Sequence, residues 1–169
     1  MKLFVAGLLV ALLLCSPNAA ACVCAPGERP FLYAAATSRF VVLASVVCHR
    51  RRWPWGKYRY MDLKIEAVLR GPADLKSLVV TGDNGYECRH YVTKFPVGTR
   101  WVFAVSQYGS ATDLAVSRCS ESALYYDGAA VTGVIGTEAA VINTSTHSLS
   151  PETIPIEELG QRLQAVPAH

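Results

Sequence analysis

Hydrophobic positions along the 169-residue chain follow three different rhythms, and each predicts a different kind of segment. From Leu3 to Leu14 the run is unbroken. From Phe40 to Cys48 (FVVLASVVC) it is short, β-branched and nearly continuous, which fits a buried strand better than a helix. From Lys57 to Leu69 it alternates: Met61, Leu63, Ile65 and Ala67 fall on one face, and Asp62, Lys64 and Glu66 on the other. A period of two is that of a strand half facing water, and Arg70-Gly71-Pro72 ends it.

Further strands are expected at Ser77 to Thr81, Thr99 to Ser106 and Asp113 to Cys119. They are separated by the turn sequences Gly82-Asp83-Asn84-Gly85 and Pro96-Val97-Gly98. Ala129 to Ile142, rich in Val, Gly and Thr, suits an extra strand pair or an irregular tail. Helical signals stand at two places. Pro30 to Arg39 is alanine-rich with a proline near its start. Pro155 to Val166 places Ile156, Leu159, Leu163 and Val166 on one side, although Gly160 weakens it. Five short strands, short flanking helices and a closing C-terminal helix predict a mainly β fold, a small barrel or sandwich.

The first apolar run reads as an export signal. Lys2 precedes it, Cys15-Ser16-Pro17-Asn18 breaks it, and Ala19 and Ala21 are the small residues expected three and one positions before a cut. The run is short for a membrane span, so no transmembrane segment is expected. A cut after Ala21 makes residues 1–21 a signal peptide and 22–169 one mature domain, secreted, or periplasmic in a bacterium. A lipid anchor on Cys22 is the second reading, and it is opposed by Ala19, where a leucine is usual three residues before an acylated cysteine.

Losing Lys2 takes the formal net charge from +3 to +2, which gives no ground for a nucleic-acid partner. The basic residues are nonetheless clustered. Arg50, Arg51, Arg52, Lys57 and Arg59 surround Trp53-Pro54-Trp55-Gly56, a pattern that suits either a solvated hairpin tip or a partner-docking loop, since Trp and Arg are enriched in binding hot spots. Five cysteines follow the signal: Cys22, Cys24, Cys48, Cys88 and Cys119. In an exported chain they form a disulfide framework with one thiol over. Cys22 and Cys24 are too close to bridge each other without strain, so both need distant partners. Spacing alone does not choose them. Cys48 ends an apolar run, whereas Cys88 and Cys119 sit in or beside polar turn segments.

Catalytic chemistry is hard to find. His49, His90, His147 and His169 have no HExxH or other metal-pair spacing, and no G-x-S-x-G, P-loop or paired-carboxylate motif occurs. Cys48 and His49 are adjacent, and neighbours on a strand point to opposite faces. We expect neither an enzyme nor an intrinsic metal or cofactor.

The mature start Cys22-Val23-Cys24-Ala25-Pro26 is the most specific chemical signal. Together with a short helix, five strands, Val68-Leu69-Arg70-Gly71, Phe95-Pro96-Val97-Gly98-Thr99-Arg100-Trp101 and the later Cys88 and Cys119, it resembles the tissue inhibitors of metalloproteinases. More broadly it resembles their netrin-like module. The match covers about residues 22–120, with 121–169 as a C-terminal tail and helix. The resemblance implies a five-stranded OB-like Greek-key barrel with bridges Cys22–Cys88 and Cys24–Cys119. The family's third bridge in this half is missing, and Cys48 is expected to stay reduced as a buried core thiol, with an intermolecular link as the alternative.

It further implies a monomeric secreted inhibitor of zinc metalloendopeptidases. In it Cys22 chelates the protease's own zinc through its α-amine and carbonyl oxygen. Val23 enters the pocket beyond the scissile bond, and Cys24, Ala25 and Pro26 shape the ridge that fills the cleft. Val23 stands where the family usually carries a small hydroxyl residue, and the tail lacks the cysteines of the larger members. The alternative is a non-inhibitory netrin-like module binding a polyanion, glycan or envelope protein, with Arg50, Arg51, Arg52, Trp53 and Trp55 as its partner loop.

Overall fold

The structure, a computed structural model, describes residues 22, 24, 29–136 and 150–167. Residues 1–21, expected to be a signal peptide, together with Val23, Ala25, Pro26 and the end of the predicted 129–142 strand pair, lie outside these residues. The fold is mainly β. Helix α1 (Phe31–Thr37) leads into β1 (Phe40–Arg51), β2 (Tyr58–Arg70) and β3 (Ser77–Thr81). A 3-10 turn, Val92–Lys94, precedes β4 (Arg100–Gln107) and β5 (Leu114–Val116). Then come β6 (Ala123–Tyr126), β7 (Ala130–Gly133), β8 (Glu152–Pro155) and helix α2 (Ile156–Ala165).

All pairings are antiparallel, in the order β3-β2-β1-β4-β6-β7-β8, with β5 added beside β4. The five predicted strands are β1 to β5. Because β5 also lies against β3, though the two are not paired in the sheet, these strands curl round a common interior as a barrel left open at that seam. The five-stranded picture is therefore an approximation: β6, β7 and β8 extend the same sheet beyond it, and only β7 falls within a segment flagged for strand in the sequence.

Strand β1 is apolar over its first five residues, Phe40 to Ala44, because both of its faces are covered. Phe40, Val42, Ala44 and Val46 face the barrel interior, where they meet Met61, Leu63, Leu78, Phe95, Phe103 and Val116. Val41 and Leu43 face the other way, joining Val102 and Ala104 of β4 under the two helices. This outer layer is completed by Leu124, Tyr126, Ile135 and Ile154, with Leu159 and Leu163 from α2. Such continuous apolar strands are what burial on two sides requires.

The alternation in β2 holds through Ile65 and then fails. Ala67 is exposed, contrary to the predicted face, while Val68 packs against the barrel interior and Leu69 against the outer layer. The cause is irregular pairing: Leu43 faces Ala67 but Ala44 faces Ile65, so one extra residue enters β2 there. A bulge of this kind turns every later side chain over.

Two contacts lock the outer layer. The first turn of α1 has no side-chain cap. Its free N–H groups are satisfied instead by the region after β7: Phe31 N–H donates to Val134 C=O (2.8 Å) and Leu32 N–H to Ile135 C=O (3.1 Å). Gly136 follows with φ +81°, and a Cβ there would lie 2.5 Å from Pro30 Cβ, so a glycine is needed for the close approach. At the opposite ends of the helices, the Arg70 guanidinium donates to the carbonyls of Ala35 (2.8 Å), Leu163 (2.7 Å) and Val166 (2.9 Å). One cation thus caps the negative ends of α1 and α2 together.

Candidate functional site

The site begins at the connector between β3 and the 3-10 turn. Asp83, itself buried, accepts the N–H groups of Gly85 (2.7 Å) and Glu87 (3.0 Å) and folds the loop back on itself. The following residues then run alongside the end of β5. Arg118 N–H donates to Cys88 C=O and His90 N–H to Val116 C=O, both at 3.0 Å. Cys88 and Cys119 are thereby presented side by side. Each takes one cysteine of the Cys22-Val23-Cys24 segment, giving Cys22–Cys88 and Cys24–Cys119, with Cα–Cα distances of 5.1 Å in both bridges.

The two bridges touch. Cys22 Sγ lies 3.9 Å from Cys24 Sγ and 4.0 Å from Cys119 Sγ, and all four sulfurs fall within 4.8 Å of one another. Four cysteine sulfurs this close could form a thiolate metal site, but only thiolates bind metal, and here every sulfur is committed to a disulfide. Arg29, five residues beyond Cys24, is held in turn: its carbonyl accepts Glu121 N–H at 2.8 Å, and its guanidinium lies 4.5 Å over the Tyr33 ring.

Beside the Cys24–Cys119 bridge opens a cleft of about 510 Å³ lined by Arg29, His90, Lys94, Arg118, Glu121 and Pro151 among others. Burial first, and then the cations of Lys94 and Arg118, push the His90 imidazole down to about pKa 4. At neutral pH the ring is uncharged, and Lys94 Nζ donates to its Nε2 at 3.4 Å. Arg89, the residue before His90, makes two short hydrogen bonds to Asp113 and lies 4.9 Å over the Tyr108 ring. Its hydrogen bonds hold the Asp113 carboxyl below the usual carboxylate range.

A second exposed feature stands at the β1–β2 turn. Trp53 is 70% and Trp55 97% exposed. Gly56 N–H donates to Trp53 C=O at 3.0 Å, closing a β-turn with Pro54 at its second position, and Arg51 Nη1 donates to Pro54 C=O at 3.0 Å. The hairpin is rooted near the bridged corner, because Arg59 pairs with Glu87, the residue before Cys88, at 3.1 Å.

Cys22 and Cys24 thus sit where the sequence places them, while Val23, Ala25 and Pro26 lie outside the described residues. Cys48 is free as expected but is not buried. It lies past the part of β1 that contacts the core, half-exposed, and its Sγ donates to Asp62 Oδ2 at 3.2 Å. That hydrogen bond, with desolvation and the carboxylate's charge, raises the thiol pKa. His49 turns away to donate from Nε2 to Phe95 C=O at 2.9 Å. Sequence reading missed the Arg89–Asp113 pair and the His90–Lys94–Arg118 cluster. The one available signal was the charged run Arg89-His90 directly after an anchoring cysteine, with Arg118 directly before the other. Comparison with models of known protein families gives no match, and comparison with curated proteins gives none.

Proposed function

We propose that the protein is a secreted inhibitor of zinc metalloendopeptidases, similar in plan to the tissue inhibitors of metalloproteinases, with Cys22 as its first mature residue. The observation that supports this most is the pair of touching bridges, Cys22–Cys88 and Cys24–Cys119. Together they fix both cysteines of the Cys-x-Cys start against the barrel, so an α-amine on Cys22 loses little freedom when it meets a partner. An amine and the adjacent carbonyl oxygen form a five-membered chelate suited to the open position of a catalytic zinc. A free α-amine titrates near 7.7–8.0, so a useful fraction is neutral at physiological pH, and zinc favours that form. Val23 would fill the protease pocket, flanked by Ala25 and Pro26. The protein would act by occupying a site, with no turnover of its own.

The test is a titration of a zinc endopeptidase panel with the native protein, an alanine-extended form and Val23→Gly. An alanine before Cys22 turns the amine into an amide, a far poorer zinc ligand. Inhibition should fall by about two orders of magnitude or more, since each ~1.4 kcal/mol is tenfold, with both bridges retained. Val23→Gly should cost less, about the ~1.5–3 kcal/mol of one buried side chain, and differently for different pockets. Equal inhibition by native and extended forms would rule out chelation.

The exposed Trp53 and Trp55 favour a second reading, a non-inhibitory binding module. Absence of inhibition across the whole panel would select it.

A further inference from the structure

The fold half-buries one tryptophan against its core and leaves two exposed. Trp101 packs edge-on against Phe95 (5.2 Å between ring centroids) and Tyr125 (5.4 Å), and its Nε1–H donates to Thr99 Oγ1 at 2.7 Å. Among the described residues, neither the Trp53 nor the Trp55 indole has a ring or hydrogen-bond partner, although the turn that carries them is held by the Gly56–Trp53 and Arg51–Pro54 hydrogen bonds to backbone carbonyls. Two neighbouring indoles facing water are unfavourable for the isolated molecule.

Some of the charges around them are also unmatched. Arg50 is paired with Asp62 at 2.7 Å. Arg51, Arg52 and Lys57 have no acidic partner among the described residues. The Arg51 guanidinium instead lies 4.6 Å over the Tyr58 ring, and Lys57 Nζ 5.9 Å from the Tyr91 ring centre. Aromatic rings therefore occupy the tip, with unneutralised cations on its shoulders.

We propose that this hairpin tip seats the protein on an anionic lipid surface, with Trp53 and Trp55 entering the headgroup boundary and Arg51, Arg52 and Lys57 facing lipid phosphates. Indoles prefer this boundary because an apolar ring with one N–H donor matches its mixed polarity. Cations just outside it gain from the negative surface potential. A turn of four residues is small beside the ~800 Å² per partner of a standard protein interface, yet insertion into lipid needs only a convex apolar point. A soluble polyanion would satisfy the cations and leave the indoles without a role. The proposal does not depend on zinc chelation at Cys22.

The experiment uses the mature protein with both bridges and vesicles of phosphatidylcholine, alone or mixed with phosphatidylglycerol. Co-sedimentation measures binding, and tryptophan quenching by brominated acyl chains measures insertion. We expect binding to the mixed vesicles with quenching, and at least about tenfold weaker binding to the neutral ones. Trp53→Ser with Trp55→Ser should weaken binding by about tenfold or more and abolish the quenching. Arg51→Gln, Arg52→Gln and Lys57→Gln together should weaken it about a hundredfold, at about fivefold per cation. Both variants should melt with the native protein, because the tip lies outside the core. Adding an alanine before Cys22 should leave vesicle binding unchanged, which separates this proposal from the inhibitor reading.

No vesicle binding, equal binding to both vesicles, or binding retained in the tryptophan variant would overturn the proposal. Binding without quenching that dextran sulfate displaces would instead indicate a polyanion site. Loss of protease inhibition in the tip variants without vesicle binding would indicate a protein contact. Either result would also overturn the proposal.

Discussion

Arg89 and Asp113 meet as a two-pronged ion pair under the bridged corner, Nη1 to Oδ1 at 2.7 Å and Nη2 to Oδ2 at 2.6 Å, with the Arg89 side chain only 5% exposed. Asp113 is partly open to solvent, so the two partners do not bear equal cost when separated. Asp113→Ala leaves a buried guanidinium with the longer ionic contact to Glu87, 3.5 Å, and the face of the Tyr108 ring. It should destabilise the protein by about 2–3 kcal/mol, measured by urea unfolding. Arg89→Met should cost less. Because the Asp113 pKa is lowered in the fold, its contribution is present above the ordinary carboxylate range and is lost as pH falls through the lower folded value.

Arg70 tests whether capping two helices needs a planar fork. Its three carbonyl acceptors come from α1, α2 and the residue after α2. Arg70→Ala should lose about 2–4 kcal/mol. Arg70→Lys should recover less than half of that, since one ammonium cannot reach carbonyls spread across a guanidinium's width. Thermal melts of the three proteins decide it, and full rescue by lysine would refute the fork argument.

His90 gives a pH signature. Its folded pKa, about 4, lies below the ordinary value near 6.5, so the unfolded chain binds the proton first. Stability from this residue is complete above about pH 6.5 and declines as pH falls toward 4. Allowing for partial solvent screening, the loss is about 2 kcal/mol. His90→Gln should flatten the native protein's stability over this interval relative to pH 7, and an unchanged slope would remove His90 as its source.

Cys48 should behave as a slow thiol. Its bond to Asp62 favours the protonated form, and only the thiolate alkylates. Iodoacetamide should label this one cysteine in the unreduced protein, with a rate that climbs only above the ordinary thiol range. Asp62→Asn should speed labelling at neutral pH.

Much of this architecture was legible in the residues themselves. Strands β1 to β4 announced themselves through period and β-branching, and the short helices through alanine content and the Ile156–Leu159–Leu163 spacing. Strand β6 did not, because Ala123–Tyr126 is four residues long and shows no period. Strand β8 ends in Pro155, which reads as a breaker and is tolerated at a strand end. Ala67 was assigned to the wrong face because a bulge is a property of strand pairing. The bridges matched the expectation, while Arg89, His90 and Asp113 acquire their roles only when two distant connectors meet. Cys48 looked like a core residue because its neighbours are apolar, yet β1 has already left the core when it reaches that position.

The two-sided burial of β1 and β4 also sets the order in which the molecule can open. Amide protons of Val41 to Ala44 and of Val102 to Ala104 lie in ladders shared by both hydrophobic layers. Detaching the helices exposes only one side of these strands, and unrolling the barrel exposes only the other. Their deuterium uptake should therefore follow global unfolding, while the hairpin tip exchanges at once and α2 at an intermediate rate. The slowest-exchanging amides would then trace a single wall through the centre of the protein.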